Sequence, residues 1–188
     1  MLVLASRSPR RREILRHAGI PFVIRVTEVD ESLLPGEAPQ DYVTRIAAEK
    51  AHAVAAGPDE VILGADTTVV VESQILAKPL DSADAVRMLQ LLSGRCHQVL
   101  TGICLKADSR MVVDCADTSV WFAPLTRQEI DDYVATGEPM DKAGAYAIQG
   151  LASRFVERIE GCYFNVMGLP VSLVYRRLRE FADTGIRG

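Results

Sequence analysis

Val61-Ile62-Leu63-Gly64-Ala65-Asp66-Thr67-Thr68-Val69-Val70-Val71 is an apolar, β-branched run broken by a single charge. The run reads as a central strand buried on both faces, the kind that a mixed sheet places between helices. A lone carboxylate in such a strand costs several kcal/mol unless it is paired, protonated or bound to metal, so folding alone gives little reason for Asp66. On the N-terminal side, residues 2–5 read as a short strand, Ser8-Pro9 as an N-cap with proline at the first helical position, and Gly19 as the stop of that helix. Residues 22–26 form a weak strand, an acidic loop carries Asp30-Glu31, and a second helix is expected over 40–56. On the C-terminal side, Glu72-Ser73-Gln74 turns the chain back through Ile75, and Asp81 or Ser82 caps a helix to Leu92. Residues 99–105 and 111–122 suggest an antiparallel pair joined across Ala107-Asp108-Ser109, and Thr126 with Glu129 forms a capping box. Residues 154–159 and 162–166 suggest a hairpin about Glu160-Gly161, and residues 170–181 a closing amphipathic helix. The pattern is α/β (mixed), with helices flanking one curved sheet.

With 188 residues, 48% hydrophobic and 24% charged, the chain can bury a substantial core without metal or disulfide staples, and one domain spanning 1–188 is expected. A net charge of −4 argues against a protein that coats nucleic acid, which relies on excess Lys and Arg. Cys96, Cys104, Cys115 and Cys162 lack C-x-x-C spacing and read as reduced thiols, and His17, His52 and His97 form no H-x-x-x-H pair. No stretch reaches the ~18 apolar residues that span a membrane. A cytoplasmic protein without a membrane partner or a stable nucleic-acid partner is the expectation.

Several segments carry residues suited to chemistry. In Ala5-Ser6-Arg7-Ser8-Pro9-Arg10-Arg11-Arg12 a strand ends and a helix begins beneath four arginines. A helix N-terminus already presents unpaired N–H groups and partial positive charge, so cations in its first turn call for an anion such as phosphate, or else for neighbouring carboxylates. Lys50 lies on the inward stripe Val43, Ile46, Ala47, Val54 and reads either as a snorkelling lysine or as a site residue. Asp66 is expected at or just past a strand end, where α/β ligand sites open, and reads as a turn cap or as a functional carboxylate. With Glu31, otherwise a solvated loop residue, it supplies oxygen ligands for a divalent cation, water and phosphate filling the remaining positions. Lys78, before Pro79, suits a phosphate as a point charge, or lies on the surface. The loop from Asp141 to Gly150 combines small residues, Tyr146 and Gln149, allowing close approach to a planar ligand whose base edge Gln149 can read.

Ser6-Arg7-Ser8-Pro9-Arg10-Arg11, Gly64-Ala65-Asp66-Thr67, Lys78-Pro79, Leu92-Ser93-Gly94, Asp141-Lys142-Ala143-Gly144-Ala145-Tyr146 and Ile148-Gln149-Gly150 together resemble the Maf family of nucleotide pyrophosphatases. The resemblance runs in order to Gly168-Leu169-Pro170 and so covers nearly the whole chain. It implies a Maf/inosine-triphosphatase-like fold of two lobes with a central cleft. It also implies metal-dependent hydrolysis, with Mg, Mn or Co, of a nucleoside triphosphate to monophosphate and pyrophosphate. By the same resemblance Asp66 is the catalytic proton acceptor. Arg10, Thr67 and Gln149 match the combination of the dTTP/UTP subgroup, and Lys50, Lys78 and Lys142 match the family's cleft lysines; these lysines with Ser6, Arg10 and Arg11 are expected to bind phosphate. Glu31 matches the family's cleft glutamate, and its expected role is to hold a divalent metal with Asp66. The resemblance also suggests a homodimer and a house-cleaning role. The alternative is a nucleotide-binding regulator of cell division that does not turn over its ligand. Arg7 departs from the small or amide residue expected before Ser8-Pro9.

Overall fold

A computed structural model of the chain describes residues 1–26, 28–108 and 110–183. The strands are β1 (Leu2–Leu4), β2 (Phe22–Ile24), β3 (Val61–Val71), β4 (Gln74–Leu76), β5 (Cys96–Ala107), β6 (Arg110–Phe122) and β7 (Val156–Glu160). The helices are α1 (Pro9–His17), α2 (Pro39–Ala53), α3 (Ser82–Leu92), α4 (Arg127–Ala135), α5 (Tyr163–Met167) and α6 (Val171–Asp183). The sheet order is β2-β1-β3-β5-β6-β7, with β4 pairing with β3. The expected mixed α/β class is therefore observed. The chain divides into two compact units, one of Met1–Asp66, Thr101–Ala116 and the segment from Gly168, the other of Thr67–Leu100 and Asp117–Met167.

In the first unit β1 pairs in parallel with both β2 and β3, Leu4 lying opposite Ile24 and Leu63. Parallel neighbours need crossover connections, which α1 and α2 provide. Ser8 caps α1 by accepting from the Arg11 backbone N–H, with Pro9 at the first helical position, and Gly19 takes a φ of +66° just beyond the helix. The α2 helix buries Val43, Ile46, Ala47 and Ala51, and Ala47 and Ala51 pack with Val3, Ala5, Val54, Ile62 and Cys104. Two glycines let this helix approach the strands closely. A Cβ on Gly64 would lie 2.0 Å from the Ala47 carbonyl oxygen, and one on Gly102 would lie 2.2 Å from that of Val43.

In the second unit β4 returns antiparallel on β3 through Glu72 and Ser73, both at positive φ, as a two-residue hairpin turn requires. Asp81 caps α3, and Thr126 with Glu129 closes the expected capping box on α4. The core joins Leu89, Phe122, Ile130, Tyr133, Tyr146 and Phe155, with edge-on ring contacts such as Tyr133 on Phe155 at 5.4 Å between centroids.

Two expectations change on contact with the structure. Residues 162–166 form no strand; β7 pairs instead with β6, and the following segment coils into α5. The cause is tertiary: buried Asn165 donates to the Val99 carbonyl at 2.9 Å and to Thr118 Oγ1 at 3.0 Å, while the Cys162 N–H donates to the same hydroxyl at 3.0 Å. These bonds fix a turn of helix against local preference for a strand. The second change concerns Asp66, which lies within β3 rather than at its end. Because β1 stops at Leu4, opposite Leu63, Asp66 nevertheless lies beyond the carboxyl end of its parallel neighbour. Ser109, in the expected turn between β5 and β6, lies outside the described residues; the preceding Asp108 has a φ of +47°.

Candidate functional site

The first unit gathers Ser6, Arg10, Arg11, Glu31, Lys50 and Asp66. Lys50 extends from the last turn of α2 and places its Nζ 2.7 Å from Asp66 Oδ1 and 2.7 Å from Glu31 Oε1. The Lys50 and Asp66 side chains are only 14% and 11% exposed, so the Lys50 ammonium is held inside the fold on carboxylates and does not snorkel to solvent. Glu31, half exposed on its loop, joins them from a segment with no helical or strand support of its own.

That loop is tied to α2. Tyr42 donates its hydroxyl to the Glu31 carbonyl at 3.0 Å, and Arg45 donates to the Ser32 carbonyl at 3.0 Å while pairing with Glu37 at 2.6 Å. Sequence reasoning missed Tyr42 and Arg45. The signal for Tyr42 was available, since two steps of four residues carry it to Lys50 on one helix face. Burial raises the Tyr42 phenol to about 12, and the negative charges of Asp66 and Glu31 add to the shift.

Arg11 is buried and reaches three acceptors: the Gly168 carbonyl at 2.8 Å, the Ala65 carbonyl at 2.8 Å and Ser6 Oγ at 3.1 Å. Desolvation lowers its pKa, and the Asp66 carboxylate acts in the opposite direction. Arg10, its neighbour in the first turn, is half-buried.

The second unit carries Thr67, Lys78, Lys142 and Gln149. Lys78 and Gln149 are exposed, whereas Lys142 is mostly buried and bonds the Glu138 carbonyl at 2.6 Å as well as Asp141. The loop bearing Lys142 and Gln149 is fixed beside the Lys78 segment, because the Gly144 N–H donates to the Ala77 carbonyl at 3.2 Å. Ala145 in this loop has a φ of +58°, a conformation that side chains rarely adopt and that surrounding contacts must hold. One such contact is His97 Nε2 with the Tyr146 hydroxyl at 2.8 Å, both side chains being buried.

The described residues contain no group of three or more His, Cys, Asp or Glu side chains that could hold a metal. Asp66 and Glu31 do form a partial set: two hard oxygen donors already meet at one cationic centre, the Lys50 ammonium. One or two carboxylates completed by phosphate and water suit Mg²⁺ or Mn²⁺, so these residues fit a divalent cation. No helix among the described residues is long and apolar enough to cross a membrane.

Fold and site together define a mixed α/β protein with the ion cluster Lys50–Asp66–Glu31 beyond the end of β1 in a parallel βαβ array. A family model described as Maf-like protein matches residues 1–181, and the chain belongs to the Maf family. It is 51% identical over 95% of its length to a dTTP/UTP pyrophosphatase of Koribacter versatilis, of which the match covers 93%. A dTTP/UTP pyrophosphatase of Symbiobacterium thermophilum is also 51% identical, over 96% of this chain and 93% of that protein. Another of Bacillus cereus strain AH820 is 50% identical over 96% and 95%. Among solved structures, a nucleoside-triphosphatase / dITP/XTP pyrophosphatase from Mycobacterium abscessus overlaps 66% of this chain and 74% of that one, with a TM-score of 0.40 and 16% identity.

Proposed function

We propose that this protein is a cytoplasmic pyrophosphatase that hydrolyses dTTP and UTP to the monophosphate and pyrophosphate. The observation carrying the reading is the Asp66–Lys50–Glu31 centre, in which a strand carboxylate meets a helix ammonium and a loop carboxylate. Its support from sequence is the 50–51% identity to proteins named for that activity.

In this reading Asp66 accepts the proton of a water that attacks the α-phosphorus, and pyrophosphate leaves. Lys50, bonded to Asp66 at 2.7 Å, holds the carboxylate in one orientation and presents positive charge where oxygen anions gather. Arg10 adds positive charge from the first turn of α1, whose N–H groups favour anions. Ser6 precedes that turn, and its Oγ accepts from the Ser8 N–H at 3.2 Å. A divalent cation held by Asp66 and Glu31 would neutralise phosphate charge. Lys78 and Lys142 serve phosphate, while Thr67 and Gln149 with Arg10 select the pyrimidine; these roles rest on the family resemblance.

Product analysis tests the activity. Purified protein given dTTP, UTP, GTP and modified pyrimidine triphosphates with Mg²⁺, Mn²⁺ or Co²⁺ is expected to release pyrophosphate, fastest from dTTP and UTP. Orthophosphate as the first product, or equal rates on all substrates, overturns the reading.

A further inference from the structure

Arg11 is expected from sequence to bind phosphate, yet its guanidinium is turned into the protein. Resting on the proposed pyrophosphatase reading, we infer that Arg11 is a positioning residue for Asp66 and that contact with the triphosphate from this turn belongs to Arg10. The ladder between β1 and β3 shows why such a residue is needed. The Ala5 N–H donates to the Leu63 carbonyl at 2.9 Å, and the next acceptor facing the same side of β3 is the Ala65 carbonyl. The chain that would have paired with it has already turned away through Ser8 into α1. An orphaned strand carbonyl at this point would leave the Ala65–Asp66 peptide without a partner. Arg11 Nη1 supplies the missing donor at 2.8 Å, so a side chain continues the ladder where the backbone has left it.

The other two bonds explain why a rigid, planar, always-charged group is used. Nε donates to the Gly168 carbonyl at 2.8 Å and Nη1 also donates to Ser6 Oγ at 3.1 Å. The fork therefore ties together the end of β1, the catalytic stretch of β3 and the entry to α6, segments separated by 54 and 157 residues from Arg11 along the chain at its two carbonyl partners. Asp66 is consequently held twice, through its preceding peptide by Arg11 and through its carboxylate by Lys50. The conflict of a cation in the first turn of a helix is relieved by protein carbonyl dipoles and by the Asp66 charge.

A phosphate ligand and a positioning residue differ in which kinetic constant they control. Arg11→Lys and Arg11→Gln are expected to lower kcat for dTTP by about 100-fold, the loss that a misplacement near 1 Å brings. Affinity for α,β-methylene-dTTP, which cannot be cleaved at that bond, should stay within about threefold, the criterion for binding that does not change while chemistry does. Arg10→Gln should instead weaken that ligand by about tenfold or more, as expected when a charged hydrogen-bond donor to the ligand is lost. Arg11→Ala should recover part of its kcat when guanidinium is added at millimolar concentration. Circular dichroism and thermal melting identify any variant that does not fold; in that event Arg11→Lys, which keeps a cationic donor at the fork, is compared with wild type below its melting temperature and should show lowered kcat with analogue affinity retained. Loss of analogue affinity in the folded Arg11 variants, with kcat preserved, overturns the inference alone. Wild-type protein that releases no pyrophosphate from dTTP or UTP overturns the parent reading, and this one with it.

Discussion

At the scale of single residues, the cost of burying Asp66 is met by two cations of different kinds. Lys50 bonds the carboxylate itself and Arg11 bonds the carbonyl one residue earlier. A charge placed with such support has orientation fixed before substrate arrives, which is what general-base chemistry needs. Asp66→Asn keeps the shape and removes the proposed base, so kcat should fall by about 100- to 10,000-fold with the fold intact, a range set by general-base catalysis. Steady-state pyrophosphate release alongside a thermal melt checks it, and wild-type turnover in the variant removes Asp66 from that role. In the proposed reading Gln149 recognises the base. Its replacement by Ala leaves a base-edge partner unmatched and should lower the preference for dTTP and UTP over GTP by about tenfold or more. Direct competition among these substrates measures that ratio, and an unaltered ratio rejects the assignment.

At the scale of elements, the helix α2 decides the site because it brings Lys50, Tyr42 and Arg45 to their partners from one rigid rod. Its seat on the sheet depends on Gly64, where an added Cβ would meet the Ala47 carbonyl at 2.0 Å and the Ala51 nitrogen at 2.8 Å. Both contacts are backbone, so no side-chain rotation relieves them and the helix must shift. Gly64→Ala should therefore destabilise the protein by about 1–3 kcal/mol or more, as overpacking does. It should also lower kcat, because Lys50 lies three residues from Ala47 on the displaced helix. Denaturant unfolding and turnover together test this; a variant with both unchanged contradicts the close seating. Much of this organisation is legible in the sequence: the inward stripe of α2, the caps at Ser8, Asp81 and Thr126, and the isolated charge in β3 all follow from local periodicity and turn chemistry. What escapes is non-local. The α5 helix depends on Asn165 meeting Thr118 and Val99, and the seat of Arg11 on carbonyls 54 and 157 residues away. A chain read in order contains no signal for either, whereas its arginine-rich turn does announce a demand for acceptors.

At the scale of the whole molecule, acid sensitivity follows from groups that the fold keeps in one protonation state. His97 is 2% exposed and packs edge-on against Phe122 and Tyr146, with ring centroids 5.0 and 5.3 Å away, while its Nε2 meets the Tyr146 hydroxyl. Burial pulls its pKa from the ordinary 6.5 to about 4. Below pH 6.5 the unfolded chain accepts a proton that the folded chain refuses, so stability is complete above 6.5, declines as the pH falls, and levels off below about 4. Carboxylates act in a lower window. Glu60, held by Arg25 in two bonds of 2.5 and 2.6 Å, is drawn from 4.5 to about 2, so its contribution is present above 4.5 and is lost as the pH falls through 2. The His97 window, from 6.5 to about 4, lies mostly above that of Glu60, from 4.5 to about 2, so the two contributions separate. Between pH 7 and pH 4.5 the unfolding free energy should drop by up to about 3 kcal/mol on account of His97, the linkage value of a shift of this size. Replacement by glutamine keeps a polar partner for Tyr146 and cannot titrate, so His97→Gln should flatten this upper window while leaving the decline below pH 4 in place. Urea unfolding across the range decides it: parallel curves for variant and wild type would mean that the imidazole gains access to solvent and that the aromatic cluster holding the Lys142–Gln149 loop opens in solution.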